Sequence, residues 1–373
     1  MRILVCTDKF KGSLSALEAC KAIEAGIHHI QPTVDIQLMP MADGGEGSLK
    51  ALGKVLDLKP QYLKVSGPTF QPIECTYTFC EGEAHIEMAQ ASGLNLLLKK
   101  DRNPLYTSTL GTGELMMHAI EKGAKKIHLW VGGSATNDGG IGLAEALGFR
   151  FIDFEGRQLS PIGKNLAKVE TIEVPHEVSK IPIEIHTDVS NKLLGKQGAA
   201  QVFASQKGAS SHDIELLDKG MENLLHVIRH QTGKDLESIS GIGAAGGVGA
   251  VIMAYMNVSI QSGIESLLTL YQFKEHLTRA DLVITGEGKI DAQTLHGKVV
   301  FGVAQKAQEA KVPVWAFCGQ KDISHEQAKT IGLEKIASIQ SLRKPVNDCI
   351  AHAYELLTQL TAQAIKSAET TFL

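Results

Sequence analysis

The chain has no cysteine spacing that would staple it or hold a metal. Its six cysteines stand at 6, 20, 75, 80, 318 and 349, with no C-x-x-C among them. That scatter fits reduced, mostly buried thiols in a cytoplasm, and neither a disulfide frame nor a cysteine-held zinc site. H-E-x-x-H is absent as well. No window approaches the ~18 apolar residues of a membrane span, and the apolar run in Met1–Asp8 is too short for a signal peptide. No cluster of Lys and Arg stands out, and the net charge is −4, so a nucleic-acid partner is not expected. Internal repeats, low-complexity segments and proline-rich linkers are missing. What remains is a globular composition: 373 residues, 43% hydrophobic, with a mean hydropathy near zero. Length alone suggests two domains with ample core.

The stretch Val131–Gly142 reads V-G-G-S-A-T-N-D-G-G-I-G. An apolar run, Ile127 to Val131, precedes it and reads as a buried strand. Ile141, Leu143, Ala144 and Leu147 follow on one helical face, with Gly148 placed to end the helix. The motif is therefore expected to be a strand-to-helix turn. Gly132 and Gly133 let the backbone approach a ligand. Their N–H groups, with those of Ser134 and Ala135, would then face an anion near a helix start. A plain tight turn also needs glycine. The polar run Thr136-Asn137-Asp138 is more than such a turn requires.

Strand and helix patterns alternate at both ends of the chain. Ile3–Cys6 reads as a strand, followed by a polar turn and a helix carrying Leu14, Leu17, Ile23, Ile27 and Ile30. Ser15 and Glu18 have capping-box spacing. Val34–Met39 reads as a second strand, running into Asp43-Gly44-Gly45-Glu46, where Asp43 and Glu46 repeat that spacing. Near the other end, Asp281–Ile284 and Val312–Phe317 read as strands around a helix. Between these ends lie short strands at 62–65, 74–79 and 84–88, a helix stopped by Gly123, and a strand at 183–186. The expectation is an α/β protein of two domains. Residues 1–60 and 278–373 would build a doubly wound, Rossmann-like parallel sheet, with an α/β domain of residues 61–277 inserted within it.

Polar, glycine-rich loops follow the strands at Asp8, Asp43, Ser134, Asp188, Gly286 and Gly319. Open α/β sheets bind ligands beyond the carboxyl ends of their strands. Asp, Lys and Gly recurring there suggest a phosphate or nucleotide site with carboxylates for a metal. There is no Walker A motif, because Gly288-Lys289 and Gly297-Lys298 lack the preceding glycine. There is no G-x-S-x-G elbow, because Ser134 is followed by Ala135-Thr136. Gly241–Gly246 matches G-x-G-x-x-G, but no convincing strand precedes it, so close packing explains it better than a dinucleotide site. Residue chemistry alone points to an α/β enzyme handling phosphate.

In these loops the sequence resembles the type I glycerate kinases. The resemblance rests on Asp8-Lys9-Phe10-Lys11-Gly12-Ser13-Leu14, Pro40-Met41-Ala42-Asp43-Gly44-Gly45, Ile86-Glu87-Met88-Ala89 and Gly111-Thr112-Gly113-Glu114. It continues through Gly132–Gly140, Gln206-Lys207-Gly208-Ala209, Gly243–Gly247 and Val283–Asp291. It implies ATP-dependent phosphorylation of D-glycerate with magnesium, in a cleft between two α/β domains. The family's bacterial members favour the 2-phosphate as product, with the 3-phosphate as the alternative. The chain departs from the family pattern at Lys9, Leu110, Lys192 and Leu194, while Asp188 and Asn191 keep it.

Roles follow from chemistry and resemblance together. Asp188 is the expected general base, with an Asx-turn as the alternative. Lys289 is expected to neutralise charge on the transferring phosphoryl group. Asp43 and Asp291 are the expected magnesium carboxylates. Asp8, Lys11 and Arg102 are expected at the substrate, Arg102 through a bidentate carboxylate pair. Gly132, Gly133, Ser134, Asn137 and Asp138 are expected at the nucleotide or phosphate. His186 and His296 lie near these loops and read as structural. Two rivals remain: a nucleotide-binding regulator without turnover, and an NAD-dependent hydroxy-acid dehydrogenase. No membrane partner is expected, and the sequence leaves a homo-oligomer open.

Overall fold

Ile3, Leu4 and Val5 are wholly buried because β1 (Arg2–Thr7) lies inside a sheet built from both ends of the chain. In the computed structural model, which describes residues 1–42, 49, 53, 58–292, 294 and 298–369, the strands in chain order are as follows. They are β1, β2 (Asp35–Leu38), β3 (Lys59–Ser66), β4 (Pro72–Cys80), β5 (Glu83–Glu87), β6 (Lys126–Trp130) and β7 (Arg150–Ile152). Then come β8 (Thr171–Glu173), β9 (Ile183–His186), β10 (Val258–Gln261), β11 (Leu282–Ile290), β12 (Val314–Lys321) and β13 (Lys335–Ser338). Among the described residues no helix is long and apolar enough to cross a membrane.

The chain divides into two units, each with its own core. Residues up to 42 and from Ser262 onward form the first; residues 58 to Gln261 belong to the second. In the first, β1 pairs in parallel with β11, Ile3 opposite Leu282. The full order is β2-β1-β11-β12-β13, all parallel. Counted within the unit this is the 2-1-3-4-5 order of doubly wound sheets, with its switch point between β1 and β11. Ile3, Val5, Leu282 and Ile284 pack against the helices Ala16–Ile30 and Ala353–Glu369. Leu4 and Val283 point to the other face, where the helix Val299–Glu309 packs.

Ser15 caps the first helix as its spacing predicts: its hydroxyl accepts from Glu18 N–H and the Glu18 carboxylate accepts from Ser15 N–H. Gly26 is the helix's point of closest approach to the last helix. A Cβ there would lie 2.5 Å from Thr358 O and 2.7 Å from Thr361 Cβ. Gly26→Ala gains about 1 kcal/mol of helix propensity but forces two packed helices apart, at about 1–3 kcal/mol. The net expectation is a lower urea midpoint for Gly26→Ala. A raised midpoint would show that the helices separate freely.

Two sequence expectations change here. The boundary placed at 277/278 falls instead at Gln261/Ser262. Residues 263–277 pack with the first unit because Ile264 fills the space beside Gly302 and Tyr271 Oη donates to Pro40 O at 2.6 Å. Strand β11, expected to end at Ile284, runs on to Ile290, since β12 pairs with it as far as Lys321. The stretch Thr285–Ile290, expected as a loop, is therefore mostly strand. Gly286 permits this, as a Cβ there would meet Phe317 O at 2.2 Å.

The second unit is a mixed sheet of order β10-β9-β6-β5-β4-β3. β10, β9, β6 and β5 run parallel, β4 pairs antiparallel with β5, and β3 pairs antiparallel with β4. One face carries Ala84, Ile86, Ile127, Leu129, Ile183 and Ile185 into a core closed by helices. Those include Leu110–Glu121, ended near Gly123, and Ser211–Thr232, the latter capped by Ser210 with Asp213. β7 and β8 form a separate antiparallel pair.

Candidate active site

The first unit gathers its polar groups at the β1/β11 switch point. Past the end of β1, Asp8 N–H donates to Gly286 O at 2.8 Å, which holds Asp8 beside β11. Asp8 is almost fully buried, and its Oδ1 accepts from Lys9 N–H. Gly288 lets the two segments touch, because a Cβ there would lie 3.0 Å from Lys11 N. The Lys11 side chain is exposed. Lys289 is exposed too, but it is not a free surface lysine. Its Nζ lies 3.3 Å from Asp322 Oδ2 and 3.6 Å from Asp291 Oδ2. The Asp322 hydrogen bond, with the charge of both carboxylates, raises its pKa.

Sequence reasoning overlooked three members of this set. Glu287 is buried, accepts from Thr294 Oγ1 at 2.7 Å and lies 4.0 Å from Lys298 Nζ. Thr294 Oγ1 also accepts from Asp291 N–H. Asp322 completes the pairing of Lys289. A charged residue between glycines at the end of an apolar run was the available signal for Glu287. Asp43, Glu46 and His296 lie outside the described residues.

In the second unit, the stretch Val131–Gly142 follows β6 and leads into the helix Ile141–Ala146, as the sequence predicts. Gly148, at φ +93°, ends the helix: its N–H donates to Glu145 O and Phe149 N–H to Ala144 O. The anion cradle expected from four N–H groups is not formed as such, since Ala135 N–H is taken by Ser92 O at 2.8 Å. Nor do all five expected phosphate residues face outward. Gly132 and Gly133 are accessible, whereas Ser134, Asn137 and Asp138 are buried.

Asp138 is turned inward as a bracket. It accepts from Thr109 N–H and Oγ1–H at 2.8 Å each, and from Gly140 N–H at 3.1 Å. Burial pushes its pKa up, against these hydrogen bonds, which pull it down. Thr109 Oγ1 accepts from Leu143 N–H, so a distant threonine caps the short helix. Asn137 has no exposed surface, and its Oδ1 and Nδ2 lack a hydrogen-bond partner among the described residues. Orphaned buried groups cost about 1–3 kcal/mol each, so such a loop is kept for a reason other than stability. Gly246, at φ +75°, presses on the same loop: a Cβ there would meet Thr136 O at 2.2 Å. Close packing thus accounts for Gly241–Gly247, and no strand precedes it.

Lys207 was not singled out for a role from sequence. It is buried, and its Nζ donates to Ser134 Oγ at 2.8 Å and to Thr136 O at 2.6 Å. Burial brings its pKa down to about 7, opposed by the Asp138 charge. The next residue, Gly208, lies against Arg102, where a Cβ would meet Arg102 O at 2.1 Å. Arg102 is half-buried and its Nε donates to Leu97 O. Asp188 lies in a bend just past β9, with one carboxylate oxygen, Oδ2, buried.

The comparisons with known proteins agree with one another. A sequence model of the Glycerate kinase family matches residues 3–369. A protein named glycerate kinase from Bacillus subtilis is 38% identical over 381 aligned positions, covering 100% of both chains. One of the same name from Halalkalibacterium halodurans is 39% identical, over 96% of this chain and 95% of its own. Escherichia coli has a protein named glycerate 2-kinase that is 36% identical over 95% of this chain and 94% of its own. The crystal structure of a putative glycerate kinase 2 from Salmonella typhimurium superposes with a TM-score of 0.82 at 36% identity, covering 100% of this chain and 99% of that one. With a family match over nearly its whole length, the chain belongs to the glycerate kinase family.

Proposed function

We propose that this glycerate kinase transfers the γ-phosphoryl group of ATP to the 2-hydroxyl of D-glycerate, giving 2-phosphoglycerate and ADP. The observation that carries the assignment of roles is the β1/β11 switch point, where Asp8, Lys289 and Asp291 stand at strand ends. Sheets of this order bind ligands outside the carboxyl ends of the strands at that point. The 2-position is supported by the name of the Escherichia coli relative.

Phosphoryl transfer asks for positioning and charge more than for covalent chemistry. Lys289 supplies a positive charge to the moving phosphoryl oxygens, and the carboxylates of Asp291 and Asp322 keep it protonated. Lys11, exposed on the loop after β1, meets a phosphate or the glycerate carboxylate. Arg102 is the second carboxylate partner, and Gly132 and Gly133 leave backbone open to phosphate. Asp188 accepts the proton of the attacking hydroxyl. The carboxylates around Lys289 are hard oxygen donors of the kind magnesium takes. Asp291, with Asp43, would hold the ion, which when bound neutralises charge on the phosphate oxygens. We place the reaction in the cytoplasm, where six cysteines stay reduced.

Phosphorus NMR of the product from ATP, magnesium and D-glycerate tests the proposal. Phosphate on the 2-oxygen couples to one methine proton and gives a doublet. Phosphate on the 3-oxygen couples to a methylene pair, and that triplet would reassign the acceptor hydroxyl.

A further inference from the structure

The second face of the inserted sheet is unlike the first. Alternation along β5, β6 and β9 sends Glu83, His85, Lys126, His128, Trp130, Glu184 and His186 to the side opposite the apolar core. His85 stands opposite His128, His128 opposite Glu184, and Trp130 opposite His186. The rings lie flat on one another, His85 on His128 at 4.4 Å between centroids and Trp130 on His186 at 4.2 Å. His85, His128 and His186 are 2%, 4% and 0% exposed. Three buried imidazoles are an expensive way to fill a sheet face. The active-site roles above use none of them.

His128 is the centre of the group. Its Nδ1 lies 2.9 Å from His186 Nε2 and 3.4 Å from Glu184 Oε2, and the last two atoms are 3.9 Å apart. We infer that His128 Nδ1, His186 Nε2 and Glu184 Oε2 form a binding site for a divalent transition-metal ion of the zinc class.

Four observations support it. The separations of these atoms fit bonds to one ion: a point about 2 Å from all three exists, within the zinc–nitrogen and zinc–oxygen range. Two imidazoles and a carboxylate suit zinc, cobalt or nickel better than magnesium or calcium. The other nitrogen of His128, Nε2, lies 2.9 Å from Glu83 Oε2. A carboxylate on the far nitrogen is the arrangement that orients a metal-binding histidine and raises its basicity. Burial also keeps His128 and His186 neutral by lowering their pKa values, and neutral imidazole is the form that binds a metal.

The two ring nitrogens now share one proton. On binding, His186 takes the Nδ1–H tautomer, no net proton is released, and both rings turn to face the ion. Lys126 remains on the other Glu184 oxygen, 2.9 Å from Oε1. The neighbouring set of Glu83, His85 and His128 is a poorer site. The His85 and His128 rings lie face to face, 4.4 Å apart and within 6° of parallel, so their lone pairs stay in separate planes, whereas the His128 and His186 rings, 15° from parallel with centroids 5.1 Å apart, bring Nδ1 and Nε2 to 2.9 Å. His85 Nδ1 is buried without a hydrogen-bond partner among the described residues, which leaves the face short of polar partners as it stands.

The test is cobalt binding to the full chain, read by its visible spectrum and by equilibrium dialysis with zinc as competitor. One ion per chain is expected, displaced by zinc. His186→Gln should abolish the spectrum and His85→Gln should keep it. Glu83→Gln, at a part-exposed carboxylate, should weaken binding about 10–100-fold, the usual effect of losing a ligand's orienting partner. Glu184→Gln, also part-exposed, gives a readout should the histidine variant fail to fold, and it should weaken binding as well. Wild-type protein that retains no cobalt would overturn the site and leave a hydrogen-bonded histidine chain. Binding lost in His85→Gln but kept in His186→Gln would overturn it too, by moving the ion to the other nitrogen of His128.

Discussion

Asp188→Asn is expected to lower turnover by roughly 10²–10⁴-fold, the usual range for a general acid–base contribution. Asparagine keeps the shape of the side chain and its capacity for a turn, but it cannot take the proton of the attacking hydroxyl. The fold should be retained, since Asp188 lies in a bend beyond β9 and is partly exposed. ATP affinity should change little. Steady-state kinetics with D-glycerate, at several magnesium concentrations, separates three readings. Near-normal turnover would reject the catalytic role, because aspartate and asparagine serve almost equally in Asx-turns. Recovery at high magnesium would make Asp188 a metal ligand. A loss that magnesium does not restore fits the base.

Lys207→Met should have the second-largest effect, through geometry as well as charge. The Lys207 Nζ group ties Ser134 and Thr136, which are 73 and 71 residues away in sequence, into one loop. Methionine fills a similar volume but leaves both oxygens without that donor, a cost of about 1–3 kcal/mol. Turnover should fall by about 10²-fold if the loop moves by an ångström, the scale on which misplacement affects a reacting centre.

Stability should also change its dependence on pH. In the folded protein Lys207 holds its proton only below about 7, whereas in the unfolded chain it holds it to about 10.4. Between these values the unfolded chain binds more protons, so stability rises with pH, by up to about 1.4 kcal/mol per unit. The penalty is full below the folded value and is lifted as pH climbs toward the unfolded one. Urea unfolding at pH 7, 8 and 9 should therefore show a rise in the wild type that is missing in Lys207→Met. Equal slopes in the two proteins would mean that Lys207 is not held in a poorly solvated place.

Much of the chain could be read without a fold because the forces concerned are local. The apolar runs of β1, β6 and β9 bury themselves wherever they are placed. Ser15 caps its helix through a residue three positions away, and Gly148 ends another because few other residues accept its φ. The motifs that carry the resemblance are contiguous as well, so the family was legible from them. Other features needed partners distant in sequence. Whether Thr285–Ile290 is loop or strand depended on β12 lying alongside it. Asp138 reads as a nucleotide- or phosphate-site residue, and only the fold shows Thr109 and Gly140 enclosing it. Lys207 shows nothing in its neighbours that foretells burial. His85, His128 and His186 each sit at an alternating position in an ordinary strand. They become a cluster only because the tertiary structure sets β5, β6 and β9 side by side. Sequence determined the local periods and the contiguous motifs. The tertiary structure alone decided which buried polar groups meet, because burial and pairing depend on segments that propensity and spacing do not connect.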